Sequence, residues 1–387
     1  MPQPLQGRLV SLDVFRGATI VGMILVNNPG SWEHVYPPLR HAEWHGWTPT
    51  DLIFPFFLFI VGVAIPLAYT KRLAQGVSRI GLVKKALQRS VILFGIGVFM
   101  AAYPIVQIDP TFEWLRPGLG SLRIMGILQR IALCYFAASL LFLYTRPRSR
   151  MYWMGGLLLA YWGALTLVPV PGHGAGVLNE PVATLSAYVD RLVLGSEHLW
   201  AGAGEMWDPE GLLSTLPAAV TTLLGVWTGR LLLRADLLPT ATAARLFVVG
   251  TTLVVGGYVW SGVFPINKSL WTSSYVLHTG GQAMCALALC YWVVDLKGYR
   301  GWTRPFVVYG VNALVVFVAS TLVTKTLIHL QMTVGGETIS VHRYLYQTVF
   351  LPLASPTNAS LLYAVAYILL WYGILAVMYR KNVIVTV

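Results

Sequence analysis

The chain has 387 residues, of which 56% are hydrophobic and only 11% charged, and its mean hydropathy is +0.65. A water-soluble globular domain carries about twice that charged fraction, so the composition excludes a soluble enzyme, and the net charge of +12 does not point to nucleic acid. Long apolar stretches recur from end to end; in lipid their backbones must close their own hydrogen bonds, which selects helices for continuous runs of roughly 17–24 residues.

Ten such runs are predicted to cross the membrane: 12–29, 50–70, 90–106, 122–145, 151–169, 211–230, 246–264, 272–294, 305–324 and 360–379. They predict an all-α polytopic membrane protein forming one domain over residues 1–387. The first run holds Asp13 and Arg16, three apart and close enough on one helical face to pair. A buried structural ion pair is as good a reading of them as a functional one. Those charges, and the lack of a small-residue cleavage site after the run, argue against a cleavable signal.

Between the first two runs lies an outer loop, 28–50, rich in aromatic, histidine and proline residues. His41 and His45 are four apart, with His34, Glu43 and Asp51 nearby. The spacing sits in a Pro- and Trp-rich loop without an HExxH pattern, so no metal is expected. Two readings remain there: interfacial histidines among aromatics, or acid–base or nucleophilic catalysis near neutral pH. The fourth run carries Gln129 and Arg130, able either to line a polar cavity or to bind a neighbouring helix.

A second long outer loop, 170–210, contains TLSAYVDRLVLG (184–195), whose apolar residues recur at helical spacing. It ends in WDPEG (207–211), where Asp208 before Pro209 reads as an N-cap of the sixth run. As function, Asp208 and Glu210 offer two carboxylates to an ammonium group or sugar hydroxyls. FPINKSLW (264–271) places Asn267 and Lys268 in an outer turn, and Asn312 falls inside the ninth run. Cys134, Cys285 and Cys290 all lie within runs and read as packing thiols.

Basic residues orient the chain. Arg8, the 71–89 cluster, Arg146 to Arg150, Arg230 to Arg245, Lys297 to Arg304, Arg380 and Lys381 put 18 of the 27 Lys and Arg on one face. That face is expected to be cytoplasmic, with both termini on it. The opposite loops hold 12 of the 15 acids, Asp109 and Glu113 among them, against six basic residues that include Arg116. An acidic outer face suits a cationic substrate.

Several blocks in order along nearly the whole chain resemble the bacterial relatives of lysosomal heparan-α-glucosaminide N-acetyltransferase, within the transmembrane acyltransferase group. They include RLVSLDVFRG (8–17), ILVNNPG (24–30), HAEWHGWTPTDLIFPFFLFIVG (41–62), RIMGILQRIAL (123–133), WDPEGLLSTL (207–216), FPINKSLWTSSYV (264–276) and PFVVYGVNALVVF (305–317). The resemblance implies acetyl transfer across a bacterial cytoplasmic (inner) membrane. Acetyl-CoA would come from the cytoplasm and the amine of a glucosamine-like amino sugar from the periplasmic side. The family's catalytic histidine falls on His41 and its partner asparagine on Asn27.

Trp44, Asp51, Asp208 and Glu210 are the expected acceptor-binding residues. Asp13, Arg16, Gln129, Arg130, Asn267, Lys268, Trp271 and Asn312 are the expected contacts of acetyl-CoA. His45 stands where the relatives carry asparagine, so acceptor specificity can differ there. An ion-coupled amino-sugar transporter would use the same charges, but no inverted repeat is evident. O-acylation of a surface glycan would use the same base. The sequence is compatible with a homodimer.

Overall fold

The structure, a computed structural model, describes residues 9–104 and 122–385. Arg8, Asp109, Glu113 and Arg116, and the end of the 90–106 run, lie outside the described residues. Every predicted run is helical: α1 Val10–Asn27, α2 Ile53–Ala74, α3 Arg79–Ala102, α4 Ile127–Tyr144, α5 Pro147–Leu167, α7 Thr215–Leu232, α8 Pro239–Ser261, α9 Ser273–Cys290, the pair α10 Arg304–Val311 and α11 Ala313–His329, and α13 Pro356–Arg380. The loop helix α6 runs Leu185–Leu194, its N-cap Thr184 accepting the Ala187 N–H, as its spacing predicts. A one-turn helix, α12 Val341–Leu345, precedes α13.

Among the described residues, seven helices are long and apolar enough to cross a membrane, and the bent α10–α11 pair makes an eighth if it is one span. The chain is therefore a multi-pass membrane protein. Helices α5 and α7 fall outside that set for different reasons. Helix α5 opens with Arg148 and Arg150 in its first turn. Helix α7 is diluted by four threonines, two glycines and Arg230, and 13 of its 18 residues are buried among other helices.

Two features depart from the sequence expectation. The ninth run is not one helix: α10 and α11 meet at 81° around Asn312. There the Asn312 side chain donates to Val383 O (3.1 Å) and accepts from Val385 N–H (3.0 Å). The break thus grips the C-terminal tail, while Asp295 after α9 accepts the Ser11 N–H near the start of α1 (3.2 Å). The fold is also not wholly helical, because Gln331–Val334 and Glu337–Ser340 pair as an antiparallel hairpin about Gly335 and Gly336.

Helices of a membrane bundle gain little from the hydrophobic effect and associate through close packing. The α2–α7 crossing uses that device. A Cβ on Gly62 would sit 1.9 Å from Thr222 O, and one on Gly225 would sit 2.1 Å from Phe59 O. Neither site admits alanine without separating the two helices. This crossing fixes the base of α2, whose N-terminal turn carries the candidate site.

Candidate active site

A cavity of about 490 Å³ opens among the ends of α1, α2, α4 and α11 and the two long loops. His41 and Asn27 both line it. His41 is fixed from within its own loop. Thr48, followed by Pro49 at the first position of a short 3-10 turn, forms a capping box with Asp51. The Asp51 carboxylate accepts the N–H groups of Thr48 and Ala42, each at 3.0 Å. Its Oδ1 lies 2.6 Å from His41 Nδ1, and Tyr275 Oη donates to its carbonyl at 2.5 Å.

Asp51 is thus 1% exposed, and it lies on the cavity wall. Asp51, expected to bind the acceptor, lines the cavity and also holds His41 in place through these contacts. With Nδ1–H donated to Asp51, His41 Nε2 keeps its lone pair and can accept a proton. Lys268, expected at the coenzyme, lines the same cavity and joins the pair. Its Nζ lies 3.4 Å from Asp51 Oδ1 and 3.0 and 3.3 Å from the two His41 ring nitrogens. Burial pulls the Lys268 ammonium below its ordinary range, while Asp51 and Glu210 oppose the shift.

Asp208 and Glu210 pair with one arginine, and Glu210 also lines the cavity. Arg123 Nε and Nη2 grip Asp208 at 2.8 and 2.6 Å, and Nη2 reaches Glu210 Oε2 at 2.6 Å. Burial alone would raise the Glu210 carboxyl, but Arg123, Arg130 and Lys268 outweigh it and hold it low. Asp208 does not cap a helix starting at 211, since α7 begins four residues later at Thr215. Sequence reasoning missed Arg123, although it opens the RIMGILQR block; its partners lie 85 and 87 residues away. Glu43, by contrast, is an exposed carboxylate on the cavity wall with no hydrogen-bond or ion-pair partner among the described residues.

Aromatic rings complete the wall. Trp207 stands edge-on to both Trp44 (5.3 Å) and Trp200 (5.9 Å), and all three line the cavity. Trp44 Nε1 donates to Leu178 O at 2.7 Å, and His45 Nε2 lies 2.9 Å from Asn179 Oδ1. Gly46 N donates to Ile266 O at 2.8 Å. His45 therefore ties one long loop to the other and is not among the residues lining the cavity.

A second cavity, about 230 Å³, lies deeper between α1, α2, α3 and α4, with Arg16, Arg89 and the Tyr69–Tyr135 pair on its wall. Phe57, Leu128, Ile131 and Leu314 line both cavities and form the wall between them. Of the eight residues expected to contact the coenzyme, Arg16 lines this deeper cavity and Lys268 the other. Asp13 lies 3.6 Å from Arg16 as an ion pair, and Asn312 holds the C-terminal tail. Gln129, Arg130, Asn267 and Trp271 are buried to 2% exposure or less outside both walls. Arg130 donates to Gly211 O (3.1 Å) and Ser214 and lies over the Trp271 ring, while Asn267 Oδ1 shapes its turn by accepting the Leu270 N–H (2.8 Å).

Residues 4–173 match the family described as "Domain of unknown function (DUF5009)". The chain is also similar to two curated proteins named "Heparan-alpha-glucosaminide N-acetyltransferase". It is 33% identical to the one from Mus musculus over 358 residues, covering 80% of this chain and 53% of the relative. It is 34% identical to the one from Homo sapiens over 361 residues, covering 80% of this chain and 52% of the relative. The chain thus spans about half the length of the curated relatives it matches. Over four-fifths of its own length, this membrane protein is a homologue of heparan-alpha-glucosaminide N-acetyltransferase.

Proposed function

We propose that the chain is an acetyl-CoA-dependent membrane N-acetyltransferase that acetylates the amine of a glucosamine-like amino sugar. The observation that carries this reading is the His41–Asp51 pair opening on a cavity backed by the Arg16/Arg89 cavity. On this reading all ten helical segments cross a bacterial inner membrane and both termini are cytoplasmic. The 18 basic residues of the cytoplasmic face and the 12 acids opposite support it.

The residues suit the donor. Arg16 and Arg89 are fixed cations for the phosphates of acetyl-CoA, and the apolar wall beyond them suits its narrow arm. When bound, acetyl-CoA supplies an acetyl group activated as a thioester. His41 Nε2 takes the proton from the attacking amine while Asp51 keeps the ring oriented through Nδ1; as the amide C–N bond forms the thioester C–S bond would break, and His41 would pass the proton to the departing CoA thiolate. Lys268 offsets the Asp51 charge. Asn27, a neutral amide on the same cavity, donates to the carbonyl oxygen as negative charge develops there.

The acceptor's sugar ring packs on the walls formed by Trp44, Trp200 and Trp207. With Asp208 and Glu210 held by Arg123, Glu43 receives the ammonium before it is deprotonated. The test uses sealed vesicles in both orientations, glucosamine inside and labelled acetyl-CoA outside. Product should accumulate in inside-out vesicles only. Equal activity in both would mean that neither substrate is confined to one face. Product in neither, with ion-coupled uptake of amino sugar, would replace the enzyme reading by a transporter.

A further inference from the structure

A third cavity of about 200 Å³ lies between α5 and α7, sharing no wall residue with the two central ones. Arg150, Arg230 and Arg234 line it, together with Pro147 and Trp227. One of the three cations is neutralised: Arg234 pairs with Asp236. Arg150 is 5% exposed, and its Nη1 donates to the neutral Phe142 carbonyl at 3.1 Å. Arg230 has no hydrogen-bond or ion-pair partner among the described residues. The buried Arg150 and the exposed Arg230 therefore present two like charges to one cavity, and an anion there would relieve their repulsion.

The surroundings say where that space sits. Tyr144, Tyr152 and Trp153 lie beside it in sequence and are 56%, 80% and 50% exposed, as in the aromatic belt of a membrane–water interface. Arg146 and Arg148 flank the start of α5 on the same basic end. A volume of about 200 Å³ equals the liquid volume of roughly seven waters, enough for a phosphate and a small polar substituent. We propose that this arginine-lined cavity binds the phosphodiester headgroup of an anionic phospholipid from the leaflet at the basic face. Guanidinium groups suit phosphate through paired N–H donors, and basic pockets between membrane helices bind such headgroups. The proposal does not depend on acetyl transfer.

The test is native mass spectrometry of the purified full chain, titrated with phosphatidylglycerol or with phosphatidylcholine of the same acyl chains. The anionic lipid should bind at least tenfold more tightly. Arg230→Gln and Arg234→Gln are both at exposed positions that need not disturb folding; the first should weaken it about fivefold and the second, whose charge Asp236 already offsets, by less. Neither should change phosphatidylcholine binding. Equal binding of the two lipids, or unchanged phosphatidylglycerol binding in both variants, overturns the site. Displacement of bound phosphatidylglycerol by millimolar glycerol 3-phosphate or CoA overturns the lipid assignment, and its retention supports it.

Discussion

Replacing Asp51 by Asn tests the proposed active site at its most constrained point. The carboxylate accepts Ala42 and Thr48 N–H on Oδ2, each at 3.0 Å, and faces His41 Nδ1 at 2.6 Å through Oδ1. An asparagine can keep the two backbone bonds with its carbonyl oxygen, so the loop should retain its shape. Its NH2 then faces His41 Nδ1 and the Lys268 ammonium, leaving donor against donor. The ring relieves this by moving its hydrogen to Nε2, and that nitrogen loses the lone pair that accepts the amine proton. A misdirected general base should cost about 10²–10⁴ in kcat, or about 3–5 kcal/mol of barrier. KM for acetyl-CoA should hardly move, because Asp51 lies outside the Arg16/Arg89 cavity. Steady-state turnover of labelled acetyl-CoA at saturating amino sugar reads both parameters. A kcat within about threefold of wild type would refute the orienting role.

His41→Ala should abolish acetylation while CoA binding persists; more than about a tenth of wild-type turnover would rule it out as the base. Asn27→Ala should lower kcat on the order of 10²-fold at unchanged KM for acetyl-CoA; a rise in KM alone would make it a binding residue. Glu43→Gln should raise KM for the amine several-fold with kcat retained, and an unchanged KM would return the ammonium to another group. Asp190 gives a stability test. Burial pushes its carboxyl up to about 7, against the Leu212 N–H it accepts at 2.7 Å. The folded value exceeds the ordinary one, so its contribution is full below about pH 4 and is lost as pH rises through about 7. The melting temperature of wild type should fall across that window relative to Asp190→Asn, and parallel curves would contradict the assignment.

The helices were legible because hydropathy is a local property: each run carries its own reason to be helical in lipid. The bend at Asn312 was not, since its cause is the tail at Val383 and Val385, 71 and 73 residues on. The hairpin left a readable trace, Gly335-Gly336 between β-prone residues, that the hydropathy reading passed over. In the site, His41 and Asn27 emerged from motif resemblance and line one cavity. The carboxylates carried no such label. Asp51, Asp208 and Glu210 look alike as acids near a loop, and only their partners distinguish an orienting group from ion pairs closed by Arg123. Glu43 was overlooked as a binding group for the reverse reason: its interest lies in having no partner among the described residues.

The wall of Phe57, Leu128, Ile131 and Leu314 has a consequence for bioenergetics. A catalyst reaching both faces of an energised membrane sits where a continuous file of water would short-circuit the ion gradient. At this partition four hydrocarbon side chains stand between the Arg16/Arg89 cavity and the His41 cavity. None of them offers a hydrogen bond along which a proton could hop. On the proposed function a slender thioester arm would push such side chains aside and be gripped by them, whereas a hydrated ion would have to shed its shell to follow. The same partition would also keep bulk water from hydrolysing the activated acyl group while it waits for an amine.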